Sequence, residues 1–284
     1  MAIINSSLII FINGNCIIDF ALIILKKHYK KNMNVIYVDV KNKFLPFILP
    51  IIIIIVWYLI TEQLHLIPYY VLPSPVDVLI ATYKIIINGS LLKNTVDTLI
   101  KVFLGIGLAS LTAIPLGIVL GWSRTLERLC SLMISILRPV PPIAWIPFAI
   151  LWFGIGLSSA VFVIFLGCVF TVLVYTIDGV RRTDKVLVES AQTLGASDWD
   201  VLTKVIWPSS IPYIISGLKV GVSIGLMCTI SSEMIASTSG LGYMILTASQ
   251  LFDPGTTVIG ILVIGMIGIG LDFVFRRIQE KIFW

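Results

Sequence analysis

Charge is scarce in this chain. Asp, Glu, Lys and Arg make up 12% of its 284 residues, about half the share of an ordinary soluble domain. Histidine is scarcer still: His28 and His65 are the only two, and they lie far apart. The four cysteines, Cys16, Cys130, Cys168 and Cys228, fall singly in apolar stretches with no C-x-x-C spacing. These shortages exclude a disulfide framework and leave no metal-ligand pattern. With no paired carboxylates and no histidine in an apolar core, an intramembrane enzyme has little support. No G-x-x-x-x-G-K-S/T loop occurs, so the chain cannot cradle nucleotide phosphates in that way. Its energy must come from another subunit or from an ion gradient.

What the chain has in excess is apolar surface, with 58% hydrophobic residues and a mean hydropathy of +1.03. No soluble core needs that much, so lipid is the solvent for most of it. A spanning helix takes about 20 apolar residues, and five such segments are expected at about 44–61, 98–122, 158–177, 210–236 and 256–275. A sixth, at about 129–152, is interrupted by Pro139, Pro141, Pro142 and Pro147. It is either two half-helices around "RPVPPIAWIP" or one kinked helix. Between the first two spans, Leu79, Ile80, Tyr83, Ile86 and Ile87 give a short helix, lying at the interface or serving as an exposed connector.

The net charge of +5 and a pI near 9.0 do not point to nucleic acid, because the basic residues cluster at the ends of apolar segments. With the residue-44 end inside, Lys41, Lys43, Arg124, Arg128, Arg181, Arg182, Lys185, Lys204, Arg276, Arg277 and Lys281 face the cytoplasm. Only Lys84, Lys93 and Lys101 fall at or near the outer edge. The asymmetry predicts a cytoplasmic 178–209 loop and a cytoplasmic C-terminus. Residues 1–43 form an N-terminal extension with two readings. "SLIIFINGNCIIDFALIIL" (7–25) is about span length, but Asn13, Asn15 and Asp19 interrupt it. It is either a seventh helix or an upstream stretch before a true start at Met33, and the polar interruptions favour the second. The long run before "KKHYKK" and the lack of an A-x-A site argue against a cleaved signal.

One long polar loop stands out among short ones. Asp184 or Thr183 can cap a first helix to about Leu194, with Leu187, Ala191 and Leu194 on one face. Gly195 supplies a left-handed exit. Ser197 with Asp200 matches a capping box opening a second helix through Ile206, which Pro208 and Pro212 should stop before the next span. Two short helices of this kind form a knob with an apolar face, suited to docking in a partner's groove.

Several charges lie in or near apolar spans, where a charge defaults to a functional hypothesis. Glu233 either lines a path or gate or bonds to a neighbouring helix. Arg138 either neutralises an anion or, as preferred, bonds carbonyls freed by Pro139–Pro142. Lys219 is expected to face a partner helix or water, and Asp272 with Arg276 to form an i,i+4 pair. Gly217, Gly221 and Gly225, like Gly117 and Gly121, have the spacing that lets helix backbones approach closely.

Glu189, Ala191, Gly195 and Pro208 fall at the spacing of the EAA loop: Glu-Ala-Ala, three residues, Gly, nine residues, Ile-x-Leu-Pro. Ser190, Val205 and Trp207 depart from that pattern but keep small or apolar character. "LPSPVDV" (72–78), "RPVPPIAWIPFAILWFGIG" (138–156), "SSEMIASTSGLGYMI" (231–245) and "GLDFVFRRIQEKIFW" (270–284) follow in order. Over roughly residues 44–284 the chain resembles the permease subunits of binding-protein-dependent ABC importers, in their aliphatic sulfonate/nitrate/taurine branch. Residues 1–32 match nothing in that family.

The resemblance implies an all-α membrane protein with six core transmembrane helices of the type I importer kind and a cytoplasmic two-helix coupling loop. It implies a second permease copy, most simply as a homodimer, an ABC ATPase that binds the ATP and magnesium, and an extracytoplasmic solute-binding protein. This chain itself then carries no cofactor. Glu189, Ala191, Gly195, Val205 and Pro208 become the ATPase-coupling residues. Glu233, Arg138 and Trp145 become candidates for the translocation path or gate. The solute class implied is a small sulfonate, taurine or nitrate, with thiamine-precursor-like heterocycles open. The rival reading is a self-contained ion-coupled transporter using Glu233 and Lys219, for which no internal repeat is evident.

Overall fold

The computed structural model describes residues 48–64 and 66–282, and every regular element in them is helical. The expectations for residues 1–43 lie outside the described residues. The chain divides into two units, Met1–Leu66 and Ile67–Trp284. In the first, α1 spans Ile48–Gln63 and ends in a π turn at Leu59–Gln63. At 1.5 Å per residue it reaches about 24 Å. It exposes a run of isoleucines from Ile51 to Ile55.

The second unit opens with α2, Pro75–Ile87. Ser74 and Asp77 form a reciprocal capping box, with the Asp77 N–H donating to Ser74 Oγ and the Ser74 N–H to Asp77 Oδ2. Leu79, Ile80, Tyr83, Ile86 and Ile87 are all exposed, which fits an interfacial helix and an exposed connector alike. Then come α3 (Ser90–Trp122), α4 (Arg124–Leu137), α5 (Ile146–Phe153) and α6 (Leu157–Arg181). The loop carries α7 (Lys185–Thr193) and α8 (Asp198–Val201), followed by α9 (Trp207–Ala236), α10 (Leu241–Gln250) and α11 (Pro254–Ile282).

The proline-rich segment is broken rather than kinked. α4 and the stretch Pro142–Phe153 meet at 86°, joined by a 3-10 turn at Pro142–Trp145. Four helices, α3, α6, the α8–α9 rod and α11, are each long and apolar enough to cross a membrane, and the bent pair can make a fifth.

The core is α6 sandwiched between α3 and α9. Both glycine runs are spent here, inside the chain. A methyl on Gly117 would stand 2.6 Å from Cβ of Thr176, and one on Gly225 would stand 2.9 Å from Sγ of Cys168. Glycine therefore sets how closely α3 and α9 approach α6, and Ala109, Ala113, Val163, Ile164 and Val172 fill the seam without exposure. The sequence did not single out α10. It forms because the chain turns at Ser237–Gly240 and buries Leu241, Met244, Ile245 and Ala248 on return.

The expected stop at Pro208 and Pro212 does not occur. α8, a π turn at Leu202–Ile206 and α9 run on as one rod, Asp198–Ala236. Pro208 falls in the first turn of α9, directly after the π turn. There the Trp207 N–H reaches back to the Leu202 carbonyl, and the wider turn accommodates a ring that lacks an N–H. Pro212 sits inside α9, and the helix continues past it.

Candidate functional site

At one end of the bundle stands the loop. Asp184, not Thr183, caps α7, accepting from the Val186 N–H at 2.9 Å. Ser197 and Asp200 form the expected capping box. The Lys204 and Ser197 side chains hydrogen-bond the Asp200 carboxylate and pull its pKa down to about 2, in a stretch outside the apolar part of the rod. Gly195 takes φ +86 with open space around it, so the position needs glycine for its backbone, not for room.

The expected apolar face is redistributed. Ala191 turns inward with Val188 and Ala196 against Val180, Val201 and Ile206, whereas Leu187 and Leu194 are exposed. α7 ends at Thr193, so Leu194 has left the helical period that would have aligned it with Ala191. The outward apolar residues on α7, its C-cap and α8 are Val186, Leu187, Leu194 (88% exposed) and Trp199 (71% exposed). Glu189 is exposed on α7, Val205 is half-buried in the π turn, and Pro208 is exposed at the head of α9.

At the opposite end of α9 lies a buried polar knot. Glu233 is fully enclosed and ion-pairs with Lys101 Nζ at 2.9 Å. Thr98 Oγ1 lies at 2.9 and 3.0 Å from its two oxygens, and the Gly242 N–H donates to Oε2 at 2.8 Å. Lys101 also donates to Ser237 Oγ at 2.8 Å and to the Ser239 carbonyl. The Leu241 N–H donates to Thr98 Oγ1, and the Gly240 N–H to Asn94 Oδ1. The knot joins α3, α9 and the N-terminus of α10, where exposed amides and the helix dipole favour an anion. Glu233 is thus bonded to a neighbouring helix and is enclosed among the described residues.

Lys101 is the partner that sequence reasoning missed, because a lysine so near the outer end of a span reads as an edge charge. A signal existed: Lys101 lies three residues in from 98, and Glu233 three in from 236, so opposite charges sit at matching depth in two expected spans.

The remaining candidates are not brought to Glu233. Arg138 is exposed at the end of α4 and, among the described residues, bonds none of the proline-run carbonyls. Local turns serve instead, with the Val140 N–H on the Leu137 carbonyl and the Ala144 N–H on that of Pro141. Trp145 packs beside an apolar cavity of 90 Å³ with Leu137, Val140, Pro142, Leu166 and Phe170. Asp272 pairs with Lys219 across helices at 2.9 Å instead of with Arg276, which turns one helical turn on to Glu280. Glu233 and Lys219 have separate partners and sit fourteen residues apart, about 21 Å along α9, so a proton relay through the two gains no support.

Comparison with known proteins agrees with this architecture. A structure described as inward-facing conformations of the MetNI methionine ABC transporter aligns with a TM-score of 0.63 at 18% identity, covering 69% of this chain and 97% of that one. A protein named as an ABC transporter permease in Methanocaldococcus jannaschii is 39% identical over 261 residues, 90% of this chain and 97% of its own length. The taurine transport system permease protein TauC of Escherichia coli is 33% identical over 236 residues, 81% of this chain and 86% of its own. The profile of the "binding-protein-dependent transport system inner membrane component" family matches residues 113–284. A helical membrane bundle with a protruding two-helix loop, and relatives that share nearly its whole length, lead to one conclusion: the chain belongs to the family of binding-protein-dependent transport system inner membrane components, as an ABC transporter permease.

Proposed function

We propose that this permease imports a small organic or oxyanionic solute of the sulfonate, taurine or nitrate class, paired with a second copy of itself. An ATPase docks on the 184–208 loop from the cytoplasm, and a solute-binding protein delivers from outside. The observation that carries this reading is the rod Asp198–Ala236, because the second helix of the loop runs through a π turn into the span as one continuous helix. Closure of an ATPase around α7 and α8 would be transmitted to the span without an intervening hinge. The outward Leu187, Leu194 and Trp199 supply the apolar anchors that a cleft would bury. Gly195 sets the angle between α7 and the rod, and Glu189 presents a carboxylate to the partner. Val205 and Pro208 form the rod's neck, and Ala191 lets α7 sit close on it. The basic residues flanking the loop, Arg181, Arg182, Lys185 and Lys204, support its cytoplasmic placement. The relatives named for taurine, aliphatic sulfonates and nitrate support the solute class. ATP and magnesium then belong to the partner subunit.

The test is copurification of the tagged chain with candidate ATPases, comparing wild type with the double variant Gly195→Asp, Glu189→Ala. A stable wild-type complex that the double variant weakens, at unchanged membrane insertion, supports coupling through this loop. A wild-type chain that binds no ATPase yet moves solute in vesicles on an ion gradient overturns it.

A further inference from the structure

A third charged feature belongs neither to the loop nor to the buried knot. Between α9 and α11 runs an open groove of 610 Å³ whose lining includes Lys219, Ser223, Leu226, Asp272, Phe273 and Arg276. Lys219 and Asp272 are paired, yet 32% and 57% of their side-chain surfaces stay accessible. α9 carries a polar stripe along the same side: Ser216, Lys219 and Ser223 lie at helical spacing, with Met227 and Ser231 continuing the line. Gln279 of α11 crosses to Ser216, its Nε2 donating to Oγ at 3.3 Å.

Another flank offers the contrast. There a groove of 440 Å³ is lined by Leu104, Leu108, Phe153, Leu157, Phe162 and Phe165, with Thr112 and Ser158 its only hydroxyl-bearing residues. Lipid can cover that surface but not the charged one. Lys219 lies about 18 Å along α9 from Trp207 and about 26 Å from Ala236. A charge at that depth faces water or a partner. Of the charges along the groove, Lys219 is paired with Asp272 and Arg276 with Glu280, so each cation already has a carboxylate partner.

We propose that the α9–α11 groove is the water-filled face along which the solute moves, and that Lys219 transfers from Asp272 to the solute's oxyanion as it passes. The exchange replaces one carboxylate partner by another oxyanion, so Lys219 keeps a partner throughout. The freed Asp272, 57% accessible, is solvated by the groove's water, and its competition keeps binding weak enough for release. The Ser223 hydroxyl, one helical turn away, donates to the Lys219 carbonyl at 3.3 Å and can reach the same oxyanion by turning away from that carbonyl. This inference rests on the import reading above, for a solute that presents a sulfonate or nitrate oxyanion.

The experiment reconstitutes the complete importer in proteoliposomes with radiolabelled taurine and nitrate as probes. Lys219→Met is expected to lower uptake about ten-fold or more, the scale of one lost charged hydrogen bond, with Lys219→Arg staying within about three-fold of wild type. In parallel, Ser223→Cys should react with the membrane-impermeant anion methanethiosulfonate ethylsulfonate and be protected by taurine, while Leu108→Cys on the apolar flank stays inert. That readout does not depend on how well Lys219→Met folds. If Lys219→Met carries both probes at the wild-type rate, or if Ser223→Cys is inert because a second copy seals the groove, the groove assignment fails while the import reading stands. If the wild-type complex carries neither probe, the import reading fails, and the role of Lys219 towards anions falls with it.

Discussion

At the residue scale the dominant feature is a single ion pair with no exposure to speak of. Lys101 and Glu233 are 3% and 0% exposed, and every oxygen and proton they present is met by Thr98, Gly242, Ser237 or Ser239. Such a pair contributes little over well-packed apolar residues, yet removing one partner strands a charge at a cost of about 3–5 kcal/mol. Lys101→Met and Glu233→Leu are each expected to lower the thermal midpoint of the purified protein sharply, and the double variant to recover part of the loss. Recovery stays partial because Thr98 and the Gly242 N–H keep no acceptor. A Glu233→Leu variant as stable as wild type would show the knot to be incidental. Glu233 was visible in the sequence as a costly charge in an apolar span. Its role was not, because which of two meanings it carries depends on whether a cation from another helix arrives at its depth.

At the element scale, helix contacts are set by absent side chains. α3 and α9 press on α6 through glycines that leave no room for a methyl, and the virtual Cβ of Gly105 would lie 2.5 Å from Ile164. Gly107 on the same α3 has nothing within 4 Å. Gly117→Leu is therefore expected to destabilise by about 1–3 kcal/mol through overpacking. Gly107→Ala should be neutral or stabilise by up to about 1 kcal/mol through helix propensity. Comparing the two melting curves checks the packing; equal losses would mean that the seam is looser than its geometry. The spacing of these glycines was legible, since G-x-x-x-G has a backbone meaning. That they pack within one chain, and not across two, was not, because both uses share the same spacing. The same limit applies to Pro208: its ring forbids an ordinary turn, but a π turn placed just before it lets the helix continue.

At the scale of the whole molecule, the rod Asp198–Ala236 connects the loop to the end of the bundle that holds Glu233. Its 39 residues span about 58 Å at helical rise. If the loop is where ATP closure is felt, stiffness of the neck is what carries it. Inserting two glycines after Lys204 should leave ATPase binding intact while solute uptake falls to background and ATP hydrolysis becomes independent of solute. Uptake at the wild-type rate in that variant would mean that the signal travels by another route. The rod is anchored at both ends, by Val201 and Ile206 under α7 and by Glu233 in the knot, which is the arrangement a lever needs.

The sequence by itself determined that this is a helical membrane protein, roughly where its apolar spans lie though not how far the helices run on (α3 begins at Ser90 and the rod at Asp198, against expected starts at 98 and 210), and that its one long loop folds into two capped helices. It also carried the family, through motifs in a fixed order. These follow from short-range physics: apolar run length against bilayer thickness, cap geometry, and the missing donor of proline. Only the tertiary structure decided that Glu233 meets Lys101, that Asp272 takes Lys219 and not Arg276, that Ala191 turns inward while Leu194 does not, and that α10 folds back beneath the end of α9. Each of these is a choice among partners many residues apart. Helical period and charge spacing constrain one element at a time, whereas which face meets which neighbour is fixed only when the three-helix core closes and buried polar groups must find one another.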